Sequence, residues 1–309
     1  MPGIEKLQRI EGRTVAYGAF AAFCALSASR DVISEFLFKS DIYEASPIFV
    51  LFVYSIVTQC VAGIVLLLNF YRRPGNVIGP TKDVLWLNGF TLAAFLFYFL
   101  AIDSPLGAAA NSFIDYGSSP AFTAMLGALL AHERLNLTFA ISAFISICGI
   151  VVLSVPRVTV EQYSLLWAAG LAFSLLSSLS SAFYRVYFRL LLVRGMMKSA
   201  VIFFRLFGLT VALGGILLVR PDLFRSDLLL KTSILGLVGF TVPLFLSLTI
   251  IQRLTLRSFA ILLFALPAIT FFLSASMGYA QLFPSDVAAG ALAIIGIVLH
   301  ERRIPRDGS

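Results

Sequence analysis

One carboxylate stands inside an otherwise apolar run. Asp115 belongs to NSFIDYGSSPAFTAMLGALLAHE, the stretch Asn111–Glu133. It lies about nine residues into a segment long enough to cross a bilayer, which at 1.5 Å per residue is roughly 13 Å of helix and close to mid-membrane. A carboxylate in lipid is costly, and it marks either a task or a pairing. Asn111 and Asp115 are four residues apart and share one helix face. Tyr116 sits beside them, and Gly117, Ser118 and Ser119 are small enough to let a neighbour or a ligand approach. Pro120 has no N–H and frees a backbone carbonyl near this face. The face is expected to bind a cationic group or carry a proton. A carboxylate paired with a base purely for assembly is the alternative.

Other polar groups fall within apolar runs. Arg205 lies in a later run, where it can snorkel to the border, face a cavity and bind an anionic group, or pair with Asp115. Arg30, Asp31 and Glu35 fall near one end of the first run. Asp31 and Glu35 share a face while Arg30 points elsewhere, so they line a vestibule or form a solvated helix end. Tyr98 and Tyr184 are candidate aromatic cavity walls, with ordinary packing as the rival reading. Glu133 with Arg134 ends the Asp115 run, where it ties a turn or closes a gate.

Catalysis finds no support. No Gly-rich phosphate cradle, nucleophile–base pair or GxxxxGK[ST] run is present. Cys24, Cys60 and Cys148 sit in apolar runs at spacings that suit neither a metal nor a disulfide framework. With two histidines, zinc or haem has almost no ligand supply, and no cofactor or metal is expected.

The elements that hold these residues follow from composition. Of 309 residues, 59% are hydrophobic and 13% charged, far from the roughly 45–50% and 25% of a soluble domain. The chain reads as an all-α polytopic membrane protein whose partner is the lipid bilayer. The first apolar run, Thr14 to Phe38, could pass for a signal peptide cut near Ser27-Ala28-Ser29, but apolar residues resume at Val32. Nine runs follow: Pro47–Phe70, Leu85–Ile102, Leu106–Ala131, Leu137–Val155, Leu165–Tyr187, Val201–Val219, Leu229–Ile251, Ser258–Ala280 and Ser285–His300. Each is expected to be a helix, because an open strand in lipid leaves its backbone unpaired.

Orientation comes from lysine and arginine. With residues 1–13 and 301–309 as cytoplasmic tails, inner segments hold 16 basic residues and outer ones 6. Arg185 counts among the inner set. Both termini are expected in the cytoplasm, and the net charge of +7 then needs no nucleic-acid partner.

One offset of 147 residues links Gly89 to Gly236, Pro120-Ala121 to Pro267-Ala268 and Gly149-Ile150-Val151 to Gly296-Ile297-Val298. The chain then divides into repeats at 14–155 and 165–300, each of five spans. An odd number per repeat inverts one against the other across the membrane. Inverted repeats are the architecture of secondary transporters, with substrate held near the midplane; two tandem bundles without transport are the rival. Asp115 maps onto Leu262, so the charge is not repeated.

The stretches Ser119–Met125, Leu129–Leu135 and Gly149–Leu153, in this ten-span frame, resemble the drug/metabolite transporter superfamily, in particular its EamA-type exporters. His132 stands where that family usually has glycine, and Tyr279-Ala280-Gln281 replaces its Glu-Arg end in the second half. Ser27-Ala28-Ser29-Arg30-Asp31 replaces its Trp-Gly-Ser-like patch, which points to a charged substrate. The resemblance implies a secondary exporter of a small metabolite, without enzymatic activity, in the plasma (bacterial inner) membrane. Acidic and basic groups in one bundle suit an amino acid or another zwitterion, moved by alternating access with Asp115 as the proton-coupling candidate. An importer or exchanger of a vitamin or nucleotide-type metabolite, and a membrane enzyme or lipid-handling scaffold, are the alternatives.

Overall fold

The computed structural model describes residues 2–39, 43–72, 80–130, 165–253 and 265–278, with isolated positions in 140–148, 259–263 and 288–295. Every element in these segments is helical, and no strand occurs among the described residues. The helices are α1 Pro2–Lys39, α2 Pro47–Arg72, α3 Thr81–Asp103, α4 Gly107–Leu130, α5 Leu165–Val193, α6 Lys198–Val219, α7 Leu229–Leu235, α8 Val242–Arg253 and α9 Ala265–Ser276. Five stretches are long and apolar enough to cross a membrane: α2, α3, α5, α6 and the helical run Pro221–Ile251. Large apolar side chains such as Leu67, Leu68, Leu166, Leu218 and Val219 face outward. A surface of that kind is unstable against water and fits a membrane protein. Glu133 and nearly all of the Leu137–Val155 and Ser285–His300 runs lie outside the described residues.

Local chemistry sets the helix ends. Ser104 stops α3, donating its N–H to Leu100 O at 3.1 Å and its hydroxyl to Ala101 O at 2.6 Å. Pro105 follows, and Gly107 adopts φ +73, so the chain reverses into α4 within four residues. α5 ends on Gly195 at φ +84. Its N–H reaches Leu192 O at 3.0 Å and that of Met196 reaches Leu191 O at 3.1 Å, the paired bonds of a Schellman cap. α5 therefore runs six residues past the expected end at Tyr187, carrying Arg189 inside the helix and leaving Arg185 about two turns from its end. The expected eighth span is not one regular helix: Gly236–Thr241 forms a π-helical turn between α7 and α8.

The packing has a recurrent pattern. α1 lies against α8 and α9 as α5 lies against α3 and α4. α2 packs on α6, and α4 packs on α9. Glycines mark the closest approaches. A Cβ on Gly170 would fall 3.0 Å from Ser104 Cβ, and one on Gly236 would fall 2.9 Å from the Tyr54 ring. Arg225 Nη1 donates to Tyr43 O at 2.6 Å and fixes the turn before α7 to the α1–α2 connection.

Gly239→Ala tests this packing. Its Cβ would come within 2.9 Å of Arg30 Cβ, an atom fixed to the α1 backbone. Overpacking of this kind costs about 1–3 kcal/mol, so thermal unfolding in detergent should move to lower temperature. Gly215→Ala meets nothing within 4 Å and should leave stability within about 0.5 kcal/mol of the parent.

Candidate functional site

A cavity opens where α1, α3 and α4 face α5, the π turn and α8. It is small. Its volume is about 50 Å³, enough to hold water. Arg30, Tyr98, Asp115, Tyr116 and Tyr184 all line it, so five of the expected substrate-binding residues meet in one place. Phe23, Phe95, Phe188, Phe240 and Phe259 complete much of the wall.

α1 supplies an ion pair. Arg30 donates from Nε to Asp31 Oδ1 at 2.8 Å, and from Nη2 to the same oxygen. The two residues were expected to point apart, since neighbours on a helix are offset by about 100°. The long arginine side chain folds back across that angle. Asp31 is fully buried and Arg30 nearly so, which rules out the solvated helix end. The Tyr98 hydroxyl from α3 donates to Asp31 Oδ2 at 2.6 Å, so both carboxylate oxygens have partners. The guanidinium stands 5.6 Å from the Tyr98 ring centroid and 5.7 Å from that of Phe240, where cation–π attraction holds it at the cavity wall. Ser34 and Tyr54 share a hydrogen bond at 3.2 Å one turn further along α1.

α4 contributes Asp115. It is 2% exposed, and its Oδ1 has no hydrogen-bond partner among the described residues. Its backbone carbonyl accepts from Ser178 Oγ of α5 at 2.9 Å, and Ser118 Oγ donates to the same serine at 2.7 Å. α4 stays helical through Pro120, whereas Pro267 falls in the first turn of α9, where its missing N–H breaks no helical bond. Asn111 is buried but does not line the cavity. Its Nδ2 reaches Tyr98 O at 3.4 Å, so the helix face expected to be shared is split between a packing role and a cavity role.

Arg205 neither snorkels nor lines the cavity. It is fully buried in α6, donates from Nε to Thr91 Oγ1 at 3.0 Å, and does not pair with Asp115. Its guanidinium is boxed by rings, with centroids at 5.0 Å for Phe95, 3.9 Å for Tyr184 and 4.5 Å for Phe188. These three rings are also cavity walls, so Arg205 stands directly behind them.

The residue that sequence reasoning missed is Arg185. Counted above as an inner-loop charge, it is 4% exposed within α5 and lines the cavity. Its Nη1 donates to Ser119 Oγ of α4, and its guanidinium lies 5.6 Å from the Tyr184 ring centroid. Also missed was the buried serine face of α5: Ser174, Ser177, Ser178 and Ser181, ending at Arg185. A signal for it existed. Spacings of three and four place these residues on one helix face, and the offset of 147 maps Ser27 onto Ser174 and Ser34 onto Ser181.

No family profile and no curated protein matches this chain. A solved structure described only as "Crystal structure of protein" superposes with a TM-score of 0.71, covering 97% of this chain and 100% of its own, at 18% sequence identity. That likeness is one of fold.

Two substitutions grade the α1–α3 contact. Asp31→Asn leaves Arg30 buried without its counter-charge, a change that costs about 3–5 kcal/mol. Tyr98→Phe removes one hydrogen bond to a charged group, about 1.5–3 kcal/mol. Denaturation in detergent should rank the two variants in that order below the parent.

Proposed function

We propose that this chain is a secondary active transporter, an exporter of a small metabolite such as an amino acid or related zwitterion. It works by alternating access between two inverted five-helix repeats. The observation that carries this reading is the cavity itself. It holds Asp115 and Arg185, opposite charges not joined in an ion pair, inside a bundle whose outer surface suits lipid. Charges left open toward an internal cavity of an apolar bundle have no assembly role that a closer pair would not fill better. The cavity's volume of about 50 Å³ has to widen to admit a metabolite.

Several features support the repeat. The contacts of α1 with α8 and α9 correspond to those of α5 with α3 and α4 when the halves are exchanged. Thr58 and Thr241 share a hydrogen bond at 2.8 Å between α2 and the π turn, and Arg205 bonds Thr91 between α6 and α3. Position 58 plus 147 is position 205, so these contacts join equivalent spans. The resemblance of the Ser119–Leu135 region to EamA-type exporters supports export and a bacterial inner-membrane location. With Arg185 and Arg30 set aside as buried, the basic bias is 15 to 5, which still supports cytoplasmic termini. Solute is the proposed cargo, and no cofactor or chemical step is invoked.

Asp115, with one oxygen unpartnered, is the group suited to exchange a proton for a cationic cargo group. Purified protein in proteoliposomes should catalyse counterflow of at least one zwitterionic metabolite, and an imposed pH gradient should change the rate. Asp115→Asn should flatten that pH dependence. An unchanged pH profile in the variant would remove the proton-coupling role, and failure of counterflow across a broad solute panel would remove transport.

A further inference from the structure

The cavity holds three charged side chains, and their partners differ in kind. Arg30 is neutralised where it stands, its guanidinium engaged by Asp31 and backed by two rings. Arg205 is outside the cavity, behind its aromatic wall. Arg185 and Asp115 remain. Both line the cavity, both are at least nine-tenths buried, and they belong to adjacent helices. Yet no ion pair joins them, and Asp115 Oδ1 has no partner among the described residues. Arg185 spends a hydrogen bond on the neutral hydroxyl of Ser119. In a medium of low dielectric, opposite charges lining one cavity attract each other strongly. Their separation is held by the frame: Ser119 draws the guanidinium toward one point of α4, while Ser178 fixes the α4 backbone at Asp115.

We infer that Asp115 and Arg185 together form the head-group clamp of the substrate, Asp115 taking an ammonium group and Arg185 a carboxylate of the same molecule. This rests on the transporter reading above and assigns the substrate class and the two residues that recognise it. A zwitterion whose two charged groups are borne on one carbon, an α-amino acid, satisfies both groups at once and leaves the site neutral. A simple amine leaves Arg185 without a counter-charge in the apolar bundle, and a simple acid leaves Asp115 so. Either mismatch costs more than the missing bond alone, because the unpaired protein charge stays buried. The phenyl rings of Phe23, Phe188, Phe240 and Phe259 then surround the substrate's apolar part. Arg30 and Asp31, already satisfied by each other, act as positioning residues for this wall.

The test uses purified full-length protein and the twenty proteinogenic amino acids as thermal-shift probes. Each binder is then compared with its decarboxylated amine and its deaminated acid by calorimetry. At least one amino acid should bind, and its amine and acid should each bind more than about tenfold more weakly, the scale of a lost charge-assisted bond. Arg185→Gln should erase the preference for the amino acid over the amine, and Asp115→Asn the preference over the acid. Arg185→Lys, which keeps the charge, should retain part of the first preference, and melting temperatures of all three variants check that they fold. The clamp is overturned if no amino acid binds, or if the amine or the acid binds as tightly as the amino acid to the parent protein. Counterflow in proteoliposomes separates this from the broader reading. An amino acid that binds with the stated preference but is not carried sinks transport and leaves the clamp standing. Carriage of a purely cationic or anionic solute by the parent does the reverse.

Discussion

The rest of the bundle is arranged around the cost of keeping charge in an apolar interior. An isolated ion in such a medium is penalised by many kcal/mol, so every buried charge requires a compensating group. Three solutions appear side by side. Arg30 and Asp31 compensate each other, with Tyr98 completing the carboxylate. Arg205 is held by the faces of three aromatic rings and one threonine hydroxyl. Arg185 and Asp115 are compensated only in part, by Ser119 and by their distance-limited attraction. The first is complete in itself, the second leaves both Nη atoms of Arg205 to the ring faces alone, and both shape the walls. The third is open, and it is open toward the cavity.

Aromatic side chains do two jobs in this arrangement. Phe95, Tyr184 and Phe188 line the cavity and also box the Arg205 guanidinium. Attraction to the cation orients the rings, and ring packing in turn keeps water from the guanidinium. Phe95 also meets Phe240 at 4.8 Å between centroids, which links the α3 wall to the π turn. A single arginine outside the cavity thus fixes much of its lining, by charge on one side and by shape on the other.

Much of the outline was legible in the sequence, and the omissions have physical causes. Hydropathy located α2, α3, α5 and α6 with ends off by up to six residues, because lipid demands long apolar helices. Asp115, Arg30, Tyr98, Tyr116 and Tyr184 were singled out as polar or aromatic groups in apolar runs, and they do converge. Arg185 escaped because the apolar run fades near Tyr187 while the helix continues to Val193. A charge near the end of such a run is counted as topology, whereas the added turns bury it. The serines of α5 escaped because hydropathy treats serine as nearly neutral, so a polar face made only of serine leaves little trace. Arg205 was left among three readings, since only the three-dimensional ring box tells a caged guanidinium from a snorkelling, cavity-facing or paired one.

The π turn at Gly236–Thr241 sets a limit on how alike the two sides of the cavity can be. Its wider winding takes in an extra residue compared with an α-helical turn. Phe95 is buried in the cavity wall, while Val242, at the same offset of 147, faces outward, and the next residue, Pro243, lines the cavity instead. The phase of the helix has therefore been advanced by the backbone. Two chain halves related by one offset would in this way present different positions to a common centre, because the backbone shifts the phase in addition to any change of residue.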